Sequence, residues 1–449
     1  MKKVCVLGLG YIGLPTALVL TDAHFSVIGF DVDTERVARL CAHDPVIQEP
    51  EVGERLLQAL SSGRLIPTTT IQSADFYIIA VPTPFKDEKK ADLSYVMDAA
   101  QRVASVLKAG ETVIIESTIP VGATQQVADY LQAKTGLNAG TDFFVAHCPE
   151  RVLPGNIFHE LVANDRIIGG INEVSTQAAK RLYKTFVKGD LYLTSAASAE
   201  MVKLVENSSR DVQIAFAHQV AAMAQSVGLD PYEVIELANK HPRVKLLRPS
   251  CGVGGHCIAV DPWFLVEGFP ESTQLLKAAR QINDSRPQEV LAAIRQRVDE
   301  WYQHNTGMCR IALFGATYKA DVDDIRESPA LHIIKNVYSW RDVTPIVIEP
   351  HLKTTKLESF IGISGVEHRD SAVLGHVDLM VLLVAHTAFK RIPFQKIDNK
   401  QVMDFCGLLH QAKQKSLDNE YQFWPANRAD EQQFVSNDQQ SCNNSKECT

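Results

Sequence analysis

Val4-Cys-Val-Leu-Gly8-Leu-Gly10-Tyr11-Ile12-Gly13 is an apolar run that ends in G-x-G-x-x-G. The run reads as a buried strand, and the glycines read as the turn into a helix. In this pattern Gly8 permits the tight turn, Gly10 lets a pyrophosphate approach the backbone, and Gly13 permits close helix–strand packing. The helix N-terminus then faces the phosphates. Tyr11 and Ile12, between the second and third glycines, count with them as cofactor-binding positions. Asp31 ends the next strand at the right distance to accept hydrogen bonds from an adenosine ribose. A carboxylate there repels a 2′-phosphate, so NAD is favoured over NADP. Arg36 lies close enough to reverse that preference; otherwise it is a solvated helix residue.

The same alternation continues outward. Val4 to Leu7, Ser26 to Asp31, Phe76 to Val81, Thr112 to Glu116 and Phe143 to His147 read as buried strands. Amphipathic stretches such as Leu14 to Ala23 and Leu93 to Leu107 separate them, as in a doubly wound parallel sheet. Two loops, Val81-Pro-Thr83-Pro and Glu116-Ser-Thr118-Ile-Pro-Val-Gly122, follow strands at the carboxyl edge where such sheets bind ligands. Thr83 and Thr118 each have a hydroxyl for the cofactor or for a backbone turn.

Around Ser195 the pattern changes. Ala199 to Val227 has no Gly or Pro and keeps helical periodicity, so it predicts one long helix. Pro231 to Asn239 and Glu271 to Asn283 also read as helical. A second α/β unit follows, with strands at Cys309 to Gly315, Pro345 to Ile348, Val377 to Val384 and Gln401 to Phe405, and a helix at Ala330 to Trp340. The chain thus reads as α/β: two Rossmann-like doubly wound domains joined by a central helical region with one long helix. The expected bounds are 1–195 for the nucleotide domain, 196–300 for the central region and 301–412 for the second Rossmann-like domain. Residues 413–449 are polar and aperiodic, and disorder is expected there.

A chain of 449 residues that is 45% hydrophobic has room for two to three domains. Its formal net charge of −8 argues against nucleic acid as a partner. No apolar run is long enough to span a membrane, and the sequence opens on a strand pattern, so no signal peptide is expected. The nine cysteines are scattered, with no Cys-x-x-Cys pair, so neither a disulfide framework nor a metal site is expected. A reducing cytoplasm is the expected compartment.

The chemistry centres on Gly252-Val-Gly254-Gly-His-Cys257-Ile-Ala-Val-Asp261-Pro262. Glycines remove side-chain walls, so Cys257 can be approached by a bulky ligand. Paired with a hydride acceptor, a nucleophilic thiol can carry an alcohol past the aldehyde to the acid. The alternative for Cys257 is a buried structural cysteine. Asp261 can orient a water or a cation, or simply form the turn before Pro262. Lys203, Asn207 and Arg210 are spaced i, i+4, i+7 and share a helix face, which is either partly buried for function or solvated. Glu150 can serve as a base and Arg151 as a phosphate or carboxylate clamp. His241-Pro-Arg243 and Tyr318-Lys319 … Arg326 are further polar runs beside glycine or proline.

Together these residues resemble the UDP-sugar 6-dehydrogenase family, from Met1 to about Gly407. The most specific pieces are Ala80 to Phe85, Cys148 to Gly155, Asn239 to Arg243, Gly252 to Pro262 and Asp323 to Pro329. The resemblance implies an N-terminal NAD domain, a central helical dimerisation region and a C-terminal UDP-binding domain. It also implies a UDP-sugar substrate, a homodimer formed through the long helix, and a role in surface-polysaccharide synthesis. By position it makes Cys257 the nucleophile and Lys203 the acid/base or oxyanion partner. Asn207 and Asp261 support water and charge; Thr118 and Glu150 assist proton transfer and thioester hydrolysis. Arg151, Val152, Arg210, Gly254, Tyr318 and Lys319 hold the nucleotide sugar alongside Lys203 and Asn207. His241 and Arg243 touch it too, from the partner subunit, and Arg326 reaches the cofactor.

The chain departs from the family's pattern twice. Ala259 and Val260 stand where UDP-glucose enzymes carry Pro-Lys, which favours the N-acetylated-sugar branch. Cys406 stands where the family usually keeps a ligand-contacting lysine. Three alternatives remain at this level: a UDP-GlcNAc or UDP-glucose 6-dehydrogenase, a two-electron β-hydroxyacid-type dehydrogenase, and a non-catalytic nucleotide-binding protein.

Overall fold

The computed structural model describes residues 2–47, 49–86, 89–152, 155–255, 257–362, 368–369, 377–392 and 402–410. The polar stretch expected to be disordered, 413–449, lies outside them. The first elements are β1 (Lys3–Leu7), α1 (Gly13–Asp22), β2 (Ser26–Phe30), α2 (Thr34–Cys41), α3 (Val52–Ser61), β3 (Leu65–Thr68), β4 (Phe76–Ile79), α4 (Ser94–Ala104) and β5 (Thr112–Ile115). Next come α5 (Ala123–Thr135), β6 (Phe144–His147), α6 (Ile157–Ala163), β7 (Arg166–Gly170), α7 (Glu173–Tyr183), β8 (Leu191–Ser195), α8 (Ala196–Ser226) and α9 (Pro231–Ala238). Then follow α10 (Asp261–Gly268), α11 (Gln274–Tyr302), β9 (Cys309–Phe314), α12 (Pro329–Tyr338), β10 (Val343–Ile348), α13 (Thr354–Ile361), β11 (His368–Arg369), β12 (Leu379–Leu382) and β13 (Val402–Asp404).

The strands form two sheets, ordered β3-β2-β1-β4-β5-β6-β7-β8 and β11-β10-β9-β12-β13. Both have the doubly wound order expected from the sequence. Alternate residues of one strand face opposite layers. Val4 and Val6 join Val27, Ile78 and Ile114 in one apolar core, while Cys5 and Leu7 join Ile28, Tyr77 and Val113 in the other. Burial on both faces explains why these strands are continuously apolar rather than alternating. One correction concerns the far side of the first sheet. β7 pairs with β6 antiparallel, through Ala146 with Gly170 and His147 with Gly169. The sheet is therefore mixed, not wholly parallel.

The long helix appears as α8, whose 31 residues span roughly 46 Å at 1.5 Å per residue. A second correction concerns α11, expected to end at Asn283. It runs on through Pro287 to Tyr302. An interior proline costs about 3 kcal/mol. Val290, Leu291, Ile294 and Val298 beyond it are all buried, and that apolar stripe outweighs the lost hydrogen bond. By compactness the chain divides into one unit of Met1–Gln219, Gly252–Arg286 and Ile325–Pro329, and another of Val220–Cys251, Pro287–Asp324 and Ala330–Thr449.

Candidate active site

The three glycines of the first turn are needed for three different reasons. Gly8 sits at φ +93°, where an L side chain is strained, and a Cβ there would lie 2.5 Å from the Ala80 carbonyl oxygen. A Cβ on Gly13 would fall 1.8 Å from the Gly8 oxygen, inside the helix–strand contact. A Cβ on Gly10 would meet nothing within 4 Å. Protein packing does not demand glycine at position 10, but a pyrophosphate laid against the backbone does. The residues therefore fit a dinucleotide.

Asp31, at the end of β2, is 3% exposed and accepts from the Leu9 amide at 2.7 Å and the Asp33 amide at 3.0 Å. The Arg36 guanidinium meets Asp31 at 2.9 Å and Asp33 at 3.8 Å, so it is paired with carboxylates rather than presented to a phosphate. Thr83 and Thr118 are both half-buried on their loops. The hydroxyl that ties those loops together belongs to Ser117, which accepts from the Val81 amide at 2.9 Å and donates to the Val81 carbonyl at 2.7 Å. Ile12 is half-buried against the core, and the Tyr11 hydroxyl donates to Glu49, which also accepts from the Gly155 amide at 2.8 Å.

The chemical residues of the first unit meet around α8. Lys203 and Asn207 are half-buried on one face of the helix, and Asn207 donates to Asp261 at 2.5 Å. Asp261 is the first residue of α10, and its amide and that of Val260 both donate to the Cys257 carbonyl, at 2.8 and 3.0 Å. Cys257 is thus held in a turn on top of the helix that carries Asp261. The preceding Gly255 takes φ +81° and donates to the Arg326 carbonyl at 3.0 Å, and the half-buried Gly254 lies beside it. Arg280 of α11, itself buried against Asp211 at 2.6 Å, reaches the Ile258 carbonyl at 3.5 Å.

Burial pushes the Cys257 thiol up to about 12; Asp261 and Glu150 add to the rise, and Lys203 and Arg326 oppose it. Burial also lifts Glu150 to about 7 against the pull of Lys203 and Arg166, and its carboxylate accepts from the Val152 amide. Asp261 is lifted by burial to about 6 against Lys203 and Asn207. His147, buried at the end of β6, is held neutral by burial down to about 3. Lys203 is the common electrostatic neighbour of all four groups. One ammonium therefore faces a thiol, two carboxyls poised near neutral pH, and a neutral imidazole. That combination suits nucleophilic attack on a carbonyl followed by base-assisted hydrolysis.

Other expected residues are engaged differently. The Arg151 guanidinium, read as a substrate clamp, grips Glu206 of α8 at 2.6 and 3.0 Å. Val152 packs against the nucleotide-domain core, and Arg210 is exposed on α8. In the second unit, Asn239 closes the His241–Arg243 loop by bonding the Leu246 amide at 2.6 Å and its carbonyl at 3.1 Å; His241 and Arg243 are exposed. Tyr318 is half-buried, its amide donating to the Asp324 carbonyl at 3.1 Å, and Lys319 is exposed. Cys406 follows Asp404, whose carboxylate accepts from the Cys406, Gly407 and Leu409 amides; burial holds its thiol well above the ordinary range.

Sequence reasoning missed Glu200. Fully buried one turn before Lys203, it accepts from the Gly122 and Thr124 amides at 2.6 and 2.7 Å. It thereby pins the N-terminus of α5, at the end of the Thr118 loop, to the helix that carries Lys203. Its i, i+3, i+7 spacing with Lys203 and Asn207 was the available signal.

Comparison with known proteins gives three matched segments. Models of the UDP-glucose/GDP-mannose dehydrogenase family match at residues 2–187 (NAD binding domain), 197–285 (central domain) and 312–411 (UDP binding domain). An NDP-N-acetyl-D-galactosaminuronic acid dehydrogenase of Ralstonia nicotianae is 43% identical over 91% of this chain and 96% of its own. A UDP-N-acetyl-D-mannosamine dehydrogenase of Salmonella typhimurium is 42% identical over 90% of this chain and 98% of its own. Among solved structures, the UDP-D-ManNAc dehydrogenase from Pyrococcus horikoshii superposes with a TM-score of 0.80 at 38% identity, covering 90% of this chain and 96% of its own. The nucleotide turn, the cysteine site and these matches agree: the chain belongs to the UDP-glucose/GDP-mannose dehydrogenase family, with its NAD-binding, central and UDP-binding domains.

Proposed function

We propose that this protein oxidises the C6 hydroxyl of UDP-N-acetyl-D-mannosamine to the carboxylate, removing four electrons without releasing the aldehyde. The observation that carries the reading is the gathering of Cys257, Glu150, Asp261 and Asn207 around Lys203. NAD⁺, when bound, accepts the hydride of each oxidation. The chain's residues do the rest. In each of the two oxidations the hydroxyl proton leaves to water as the hydride departs to NAD⁺, and Lys203 stabilises the alkoxide. The Cys257 sulfur then bonds to the aldehyde carbon, its proton passing to the carbonyl oxygen through the Lys203–Asp261 pair, to give a thiohemiacetal. The second oxidation leaves a thioester. Glu150 takes a proton from water, the water oxygen bonds to the carbonyl carbon, and the carbon–sulfur bond breaks to free Cys257 and the acid. Thr118, on the loop whose end Glu200 pins, assists proton transfer. Tyr318 and Lys319 hold the UDP half; in the first unit Arg210 and Arg151 are substrate contacts, Arg151 by exchanging Glu206 for phosphate.

The choice of sugar draws on the relatives, which are named for UDP-N-acetyl-D-mannosamine and NDP-N-acetyl-D-galactosaminuronic acid, and on Ala259 and Val260 beside the nucleophile. These sugars differ in ring stereochemistry, worth on the order of 1–3 kcal/mol per contact. NADH formation should be fastest with UDP-ManNAc among UDP-ManNAc, UDP-GlcNAc, UDP-GalNAc and UDP-glucose, with about two NADH per sugar. A different preferred sugar would overturn the specificity, and a ratio of one with free aldehyde would overturn the four-electron reading.

The helix α8 supports a homodimer. Val205, Phe216 and Met223 are 48%, 49% and 58% exposed at spacings of 11 and 7 residues, one apolar stripe along one face. Phe216→Asp should convert a dimer into monomers in sedimentation velocity; a monomeric unmodified protein would refute the dimer. The scattered cysteines, without Cys-x-x-Cys spacing, support a cytoplasmic site of action, which fractionation of the source cells would check. No described helix is long and apolar enough to cross a membrane.

A further inference from the structure

In the second unit, the carboxyl edge of the five-stranded sheet holds a polar network that the reaction does not use. Glu349 follows β10 and is fully buried. Its carboxylate accepts from the Ala316 amide at 2.8 Å, just past β9, and from the His351 amide at 2.8 Å. It also meets Nε2 of His386 at 3.1 Å, just past β12. His386 is fully buried too. Its Nδ1 accepts from the Asp321 amide at 2.9 Å. A nitrogen that accepts carries no proton, so the ring proton sits on Nε2 and is donated to Glu349. Asp321, at φ +60°, accepts from the Thr387 amide at 2.8 Å and the Thr387 hydroxyl at 2.7 Å. The Thr317 hydroxyl donates to the Lys319 carbonyl at 2.8 Å.

The consequence is geometric. The stretch 316–321 is clamped at both ends, Ala316 by Glu349 and Asp321 by His386, and these two side chains are bonded to each other. Tyr318 and Lys319 lie between the clamps. The sheet order β10-β9-β12 also makes this the point where strand order reverses, the place where open α/β sheets bind ligands. We propose that the buried Glu349–His386 pair is the positioning element for the Tyr318–Lys319 loop and sets affinity for the nucleoside diphosphate half of the substrate.

This inference rests on the reading that Tyr318 and Lys319 hold UDP. A metal reading of the same residues is less apt. Single ligand atoms of Asp321, His351 and His386 lie within 4.8 Å of one another. The Nδ1 lone pair of His386, however, is already committed to the Asp321 amide, and the Asp321 carboxylate to Thr387. A cation would have to break the clamp to bind.

The test uses the full chain, with UDP as the calorimetric probe and the UDP-sugar in steady state. His386→Gln keeps a donor near Glu349 but removes the acceptor for the Asp321 amide. It should weaken UDP binding about tenfold or more and raise KM for the UDP-sugar in step, since a buried amide loses its partner. KM for NAD should stay within about twofold. His386→Asn restores an acceptor close to Nδ1 and should fall between the two. Glu349→Gln should move UDP affinity in the same direction as His386→Gln. UDP affinity unchanged in well-folded variants would overturn the proposal, as would a loss shared equally by NAD and UDP. Unmodified protein that fails to bind UDP would instead sink the nucleotide-binding reading on which it rests.

Discussion

Cys257→Ser is expected to lower formation of the uronic acid by roughly 10³-fold or more, because it removes the atom that carries the intermediate. The first oxidation needs no sulfur, so the variant should still yield up to one NADH per sugar, with aldehyde released to a carbonyl trap. The site explains why serine is no substitute. Burial and the nearby carboxyls Asp261 and Glu150 hold even the more acidic thiol up to about 12. A serine hydroxyl in the same surroundings would be harder still to deprotonate. In the proposed mechanism the sulfur adds with the help of the Lys203 charge, which opposes the rise, and the thiol proton is handed on as the carbon–sulfur bond forms. The same surroundings make Cys257 a slow target when substrate is absent. Alkylation by iodoacetamide should be sluggish at pH 7 and accelerate steadily as pH rises, without a plateau near neutrality. Full acid production by Cys257→Ser would remove the thiol from the mechanism. A fast alkylation plateau below pH 8 would mean that Lys203 dominates over burial.

What the sequence disclosed and what it hid follow from how far apart partners lie along the chain. The first turn was legible because its glycines follow a local pattern, and the structure separates their surroundings: strain at Gly8, contact at Gly13, open space at Gly10. The helix α8 was legible because 29 residues, Ala199 to Val227, lack Gly and Pro. The run of α11 past Asn283 was hidden by Pro287, since a local propensity cannot show that tertiary burial will outweigh it. The antiparallel entry of β7 was hidden because strand direction is set by the connection, not by the strand's composition. The buried carboxylates went unread for the same reason. Glu200 acts on amides 76 and 78 residues away, and Glu206 takes an arginine 55 residues away that had been offered to the substrate. Their roles are fixed only when the chain closes on itself.

In the proposed mechanism Glu150 serves only the last chemical step, so Glu150→Gln should lower kcat by about 10²- to 10⁴-fold, the range for losing a general base. Both oxidations precede the step that needs this carboxylate. The variant should therefore give a rapid burst of about two NADH per active site and then stall. Mass spectrometry of the stalled enzyme should find the sugar nucleotide attached at Cys257 as a thioester. In the unmodified protein the base works only when ionised, and burial has lifted it to about 7. The rate should therefore rise with pH through about 7, with Asp261 adding a weaker limb near 6, and the upper limb should vanish in the variant. The same shift has a signed effect on folding. A carboxyl whose folded pKa is raised binds its proton more tightly in the native state, so ionisation disfavours folding. The penalty is absent below the ordinary value of 4.5, grows as pH rises to about 7, and stays constant above that. Glu150→Gln should accordingly raise Tm at pH 8 and leave it nearly unchanged at pH 4. A catalytic loss paired with a gain in stability marks a group held in an unfavourable state for chemistry. A fall in both at pH 8 would make Glu150 a structural residue and assign the hydrolytic water to another base, with Asp261 the next candidate.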